Sequence, residues 1–211
     1  MRNIIQHNDL SQPVYERLKE MIANGSLPPG QKLIQEKLAT ELGVSRTPLL
    51  KALQTLEHEM LVESIPRRGV YVRQISTQEM IDVYDCREAV ESMAIRLVIE
   101  RASDIEVLKI KKVFEPFVNK VSIDMKKYRK ADERFHDMII DLSKNPVLKR
   151  MSQLSDIHKR VYQYGLIRPP EETLIEHMNI ADALLKRDIE LADRELRNHI
   201  GLSRHELNQK K

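Results

Sequence analysis

The 211-residue sequence has a single cysteine, Cys86, and no apolar stretch long enough to cross a bilayer. One thiol excludes an internal disulfide framework and fits a reducing, cytoplasmic setting. The opening residues Met1-Arg-Asn-Ile-Ile-Gln-His-Asn-Asp9 lack both the apolar core and the small-residue cleavage site of a secretory signal. Glycine is scarce beyond the first third: Gly25, Gly30, Gly43 and Gly69 precede Ser76, and only Gly165 and Gly201 follow it. No period-2 alternation occurs after Ser76 either, which excludes a sheet there and leaves helix. What is present is ordinary for a globular protein, with 41% hydrophobic and 32% charged residues. The net charge of +3 permits a nucleic-acid partner without requiring one.

The chain divides near residue 75. In 1–75, Ser11-Gln12-Pro13 starts a helix whose apolar residues Val14, Leu18, Met21 and Ile22 follow helical spacing up to Asn24-Gly25. Leu27-Pro28-Pro29-Gly30 is a turn. A short helix is expected over Gln35–Leu42, closed by Gly43. Ser45 is placed to cap a third helix, with Pro48 in its first turn and Leu50, Leu53 and Leu56 inward. Leu61–Ile65 and Gly69–Arg73 read as two strands flanking Pro66-Arg67-Arg68. Three helices and a small β-hairpin make a winged helix-turn-helix.

Residues 76–211 predict an all-α bundle of about six helices: Thr77–Ala102, Asp104–Lys120, Ile123–Ser143, Pro146–Tyr164, Pro169–Lys186 and Asp188–Asn208. Thr77 and Asp188 stand where caps are expected. The fold class is therefore mainly α, a DNA-binding winged helix followed by a helical domain.

Gly43-Val-Ser-Arg-Thr-Pro48 carries the chemistry of the first half. Ser45 and Thr47 can offer hydroxyls and backbone N–H groups to phosphates at a helix start. Arg46 can meet a guanine edge with two parallel hydrogen bonds. At the wing, Arg67 and Arg68 supply cations, and Gly69 allows close backbone approach to a groove.

Several stretches resemble the GntR-type regulators: Leu27-Pro28-Pro29-Gly30-Gln-Lys-Leu33, Leu42-Gly43-Val44-Ser45-Arg46-Thr47-Pro48, Ala52-Leu53, Leu56-Glu57 and Arg68-Gly69-Val70-Tyr71-Val72. The resemblance implies a sequence-specific reader of double-stranded DNA. It also has departures. Leu50 stands where the family commonly places a DNA-contacting arginine, and Lys51 follows one position later, rotated by about 100° on the helix. Met60 stands at a usual glycine.

In the second half, Asp132 and His136 are four apart, on the face that carries Phe135 and Ile139. His177 lies in the stripe Leu174, Met178, Ala181, Leu185, and His199 in the stripe Ala192, Leu196, Ile200, Ser203. Such groups are either separately hydrogen-bonded core residues or ligands of one divalent metal. Asp132-Glu-Arg-Phe-His136, Glu176-His177 and Leu196-Arg-Asn-His199-Ile200 resemble the ligand motifs of the FCD domain that accompanies one branch of these regulators. That resemblance implies Asp132, His136, His177 and His199 as ligands, with zinc the first choice before nickel, manganese or iron. Tyr84, Arg87 and Glu91 share one side of the first long helix. Regulators of this type commonly sense small carboxylates, for which Arg87 and Tyr84 are the candidate effector residues; the alternative is an internal Arg87–Glu91 ion pair. His158 either lines a pocket or lies on the surface. His7, His58 and His205 read as surface residues, and Cys86 as core filler.

Three functions follow. A repressor or activator would bind a palindromic operator as a homodimer and respond to a metabolite. A hydrolase-like metalloenzyme fused to a DNA-binding module is the second, yet no His-Glu-x-x-His arrangement or paired nucleophile is present. A regulator with a purely structural metal is the third.

Overall fold

A computed structural model describes residues 10–154 and 166–209. The chain forms two compact units, Met1–Ile75 and Ser76–Lys211. In the first, α1 (Ser11–Ala23) packs on α3 (Arg46–His58), and α2 (Gln35–Leu42) lies against α3. Gly43 closes α2 in the left-handed region at φ 65°, with Gly43 N–H donating to Thr40 O and Val44 N–H to Ala39 O. The same pair of bonds ends α3: Met60 N–H donates to Glu57 O and Leu61 N–H to Leu56 O. Met60 therefore holds φ 55°, a conformation that a side chain adopts only at a cost.

α3 departs from the expected helix in its inward face and in its cap. Leu49 is completely buried, whereas Leu50 is 42% exposed. The buried set is Leu49, Ala52, Leu53 and Leu56, which is the i, i+3, i+4, i+7 stripe of a single helix face; Leu50 falls outside it. Ser45 has extended backbone at the N-cap position, but its hydroxyl makes no capping bond. The sheet also exceeds the expected hairpin. It has three antiparallel strands in the order β1 (Lys32–Leu33), β3 (Gly69–Val72), β2 (Val62–Ile65). β1 is too short for a sequence pattern, and it is fixed by pairing of Leu33 with Val70 and by burial of Leu33.

The second unit contains α4 (Thr77–Arg101), α5 (Asp104–Lys112), a 3₁₀ turn (Glu115–Phe117), α6 (Met125–Leu142), α7 (Pro146–Leu154), α8 (Pro170–Leu185) and α9 (Ile189–Gln209). α4 packs against both α6 and α9, α9 against α8, and α8 against α5. Ser76, not Thr77, caps α4 by accepting from Glu79 N–H. Ser103 and Glu106 form a reciprocal capping box on α5, Asp124 caps α6, and Asp188 accepts from Leu191 N–H at 2.9 Å. α5 stops well before Lys120, because Pro116 has no amide hydrogen to donate to Lys112 O, and the chain tightens into the 3₁₀ turn instead. The end of the helix expected to reach Tyr164, together with His158, lies outside the described residues, as does His7. Cys86 is exposed rather than packed: the inward stripe of α4 runs through Val83, Tyr84, Arg87 and Glu91, and residue 86 is turned away from it. Among the described residues, no helix is long and apolar enough to cross a membrane.

Candidate metal centre

α6 presents Tyr128, Asp132 and His136 along one buried face, since residues four apart stack on a helix. His177 comes from α8 and His199 from α9. All four potential ligands, Asp132, His136, His177 and His199, are buried, and one ligand atom from each lies within 4.8 Å of the others. His177 is stacked on Phe114 at 4.5 Å between ring centroids and meets Phe135 edge-on at 4.8 Å. This packing fixes the plane of its ring.

Each imidazole has an outer partner on Nδ1. His136 Nδ1 lies 2.6 Å from Glu91 Oε2, and the other oxygen of Glu91 accepts from Arg87 Nε at 2.6 Å. His199 Nδ1 lies 2.8 Å from Glu176 Oε2, and Arg168 grips the same carboxylate at 2.8 and 2.7 Å. A carboxylate only accepts, so Nδ1 carries a hydrogen in both rings. His177 Nδ1 lies 3.1 Å from the Tyr128 hydroxyl, which lies 2.9 Å from the Thr173 hydroxyl. Thr173 in turn donates to Pro169 O. The Tyr128 hydroxyl can accept from or donate to His177 Nδ1, and in the second case His177 Nε2–H donates to Asp132.

The inner nitrogens then meet one another. His136 Nε2 and His177 Nε2 are 3.2 Å apart, and His177 Nε2 is 3.1 Å from Asp132 Oδ1. Two lone pairs and a carboxylate oxygen at these distances repel unless a proton or a cation lies among them. A second proton is disfavoured. Burial, with the positive charge of Arg87, pushes His136 down to about 3. Burial, with the neighbouring His199, pushes His177 down to about 4. Burial alone would raise Asp132, yet its contacts with His177 hold it well below the usual carboxylate range. Glu176 is likewise opposed by burial but drawn down to about 2 by His199 and Arg168. Neutral His136 and His177, the His199 ring held from outside by Glu176, and the ionised Asp132 carboxylate form a donor set suited to a divalent transition metal.

The same shifts set a pH dependence for the metal-free protein. Folded His136 and His177 stay neutral down to about 3 and 4, whereas unfolded imidazoles take up protons near 6.5. Between those values the unfolded chain binds more protons, so stability falls as pH drops from about 6.5 toward 4. Depression of Asp132 acts in the same direction at still lower pH. Chelated protein is expected to melt at a lower temperature at pH 5 than at pH 7.5; an equal or higher melting temperature at pH 5 would contradict neutral burial of these rings.

Of the residues offered for an effector, Tyr84 and Arg87 are both buried, with the guanidinium carbon 5.5 Å from the Tyr84 ring centroid. Burial raises the Tyr84 hydroxyl to about 12, so it stays neutral. Arg87 makes the ion pair with Glu91 that its spacing offered as the alternative. Glu91, Tyr128, Thr173 and Arg168 were not read as site residues from sequence. The i, i+4 spacings Tyr128–Asp132 and Thr173–His177 were the available signal for two of them.

In the first unit, Ser45, Arg46, Thr47 and Lys51 are exposed at the start of α3, and Arg46 makes a 3.2 Å exposed pair with Glu36. Arg67, Arg68 and Gly69 are exposed at the β2–β3 turn, where Arg67 and Gly69 have φ of 64° and 108°. His58 and His205 are exposed.

A winged helix with an exposed cationic helix start, followed in the chain by an α-helical bundle enclosing a His/Asp cluster, is the plan of a two-domain transcription regulator. The chain belongs to the GntR-type regulators with an FCD domain: residues 82–202 match the FCD domain model, and residues 10–72 match the bacterial regulatory proteins, gntR family. It is 28% identical over 190 residues to the HTH-type transcriptional regulator YdhC of Bacillus subtilis, across 88% of this chain and 85% of that protein. The solved structure of E. coli McbR/YncC is similar at a TM-score of 0.73 and 25% identity, covering 95% of this chain and 98% of that one. The FCD domain of TM0439, solved in a metal-free state, shares the fold at a TM-score of 0.55 and 18% identity, over 64% of this chain and 96% of that one. These families and relatives are regulators of transcription, not enzymes.

Proposed function

We propose that the protein is a DNA-binding regulator whose operator affinity depends on a divalent metal and a small carboxylate in its helical domain. Residues 1–75 are the DNA-binding domain and residues 76–211 the metal, effector and dimerisation domain. Ser45, Thr47, Lys51 and the wing residues Arg67, Arg68 and Gly69 contact phosphates, and Arg46 reads a base edge. A cytoplasmic homodimer would set two such heads on a palindrome. Asp132, His136, His177 and His199 hold the metal, zinc before nickel, manganese or iron. Such an ion supplies a Lewis-acidic position at which an acidic effector can bind.

The observation that carries this reading is the occupation of Nδ1 on all three imidazoles, which directs their remaining nitrogens at one another and at Asp132. Arg87 and Tyr84 lie just outside that centre on α4. A carboxylate effector there competes with Glu91 for the Arg87 guanidinium, and so couples effector binding to the orientation of His136. The test is an operator titration with metal-loaded protein, with and without a panel of small carboxylates. At least one acid is expected to change operator affinity, and DNA must change the affinity for that acid by the same factor. If no acid has an effect while chelation still lowers the melting temperature, the second reading holds: a regulator with a structural metal, which the internal Arg87–Glu91 pair favours.

Glu176→Gln gives a sharper expectation. It keeps the shape but weakens the acceptor for His199 and the grip of Arg168, so metal affinity should fall roughly 10- to 100-fold. Competition against a chromophoric chelator measures it. Unchanged affinity would remove Glu176 from the metal's outer shell.

A further inference from the structure

We propose that Leu50 is a base-reading residue that recognises the methyl group of a thymine in each operator half-site. The inference rests on the reading of α3 as the element that enters the DNA groove. Two leucines stand side by side in its first turns with opposite fates: Leu49 is fully buried, and Leu50 is 42% exposed. Leu50 lies four residues after Arg46, hence on the same outward face, and Gln54 continues that face one turn further. Lys51 is exposed beside it, and Arg67 and Arg68 are exposed at the wing of the same unit.

An isobutyl group cannot hydrogen-bond to a phosphate or to the polar edge of a base. Within the major groove the apolar feature it can meet is the thymine C5-methyl. The cationic residues around it select a polyanion rather than an apolar protein surface as the occupant of this face. Geometry also places the thymine. Four residues of helix span about 6 Å, and successive base pairs are about 3.4 Å apart, so the thymine lies roughly two base pairs from the base read by Arg46.

The experiment begins with selection of an operator from random duplexes by the full chain. Each thymine of a half-site is then replaced by deoxyuridine, which removes only the methyl group. Wild-type protein is expected to lose about fourfold in affinity at one thymine per half-site, the equivalent of one buried methyl-sized group, and about 15-fold when both half-sites are changed. Leu50→Ala should bind thymine and uracil operators equally at that position, keep the penalties elsewhere, and keep the wild-type melting temperature. A Leu50→Ala protein with the wild-type uracil penalty overturns the inference, as does a wild-type protein indifferent to every uracil. Selection of no sequence at all overturns the reading of α3 itself, and this inference with it.

Discussion

Replacement of Arg46 by Ala is expected to weaken operator binding roughly 30-fold or more, and with it discrimination against random DNA, while leaving the fold intact. The arginine sits in the first turn of α3 with its side chain 64% exposed. Its pairing with Glu36 is on the surface, where ion pairs contribute little to stability. The melting temperature should therefore stay within a degree or two of wild type, as surface substitutions usually do. A bidentate contact to guanine is worth about 1–3 kcal/mol, so the two heads of a dimer stand to lose about 2–6 kcal/mol of specific binding. That corresponds to roughly 30-fold or more in the dissociation constant. Binding to non-specific duplex should weaken far less, because phosphate contacts from Lys51, Arg67 and Arg68 persist. Titration of operator and scrambled duplex at one fixed salt concentration separates the two terms. Unchanged operator affinity would remove Arg46 from the base-reading set.

The second large effect belongs to the cluster. His199→Ala removes one nitrogen donor and leaves Glu176 with Arg168 alone. The variant should bind metal so weakly that adding zinc no longer raises its melting temperature. Wild-type protein, with zinc at about 100 times its dissociation constant, gains about 2.7 kcal/mol, a shift on the order of 10 °C for a chain of this size. His199 is a better choice than His177 for this purpose. His177 is sandwiched among Phe114, Phe135 and Tyr128, and its loss would open a cavity and lower stability for reasons unrelated to metal. Equal zinc responses in wild type and His199→Ala would exclude His199 as a ligand.

The helices were legible because their punctuation is chemical. Pro13 near the start of α1, Gly43 after α2 and Asp188 before α9 each mark a boundary that the structure keeps. Leu49 and Leu50 were harder. Adjacent leucines do not reveal which one faces inward, and only the full stripe with Ala52, Leu53 and Leu56 settles the phase of α3. β1 had no pattern to find, since two residues cannot alternate, and its position depends on a partner strand some 40 residues away.

The outer partners of the cluster show the deeper limit. Glu176 follows from helical geometry in part: it is turned about 100° from its neighbour His177 and so cannot serve that ring. What the sequence lacked was the next helix, where His199 waits for that carboxylate. Glu91 and His136 are 45 residues apart, and no local spacing connects them. Single-helix faces can be read from a sequence, whereas the distances that decide tautomers arise only when α4, α6, α8 and α9 pack together.

The most direct test of the metal centre is elemental analysis of protein purified without a metal-affinity tag, with melting curves before and after chelation. The account predicts about one transition-metal ion per chain and a melting temperature that falls on chelation and recovers on reloading. Protein that carries no metal, binds none when it is supplied, and melts identically with chelator would contradict it. The three histidines and Asp132 would then be a hydrogen-bonded core cluster within a DNA-binding regulator.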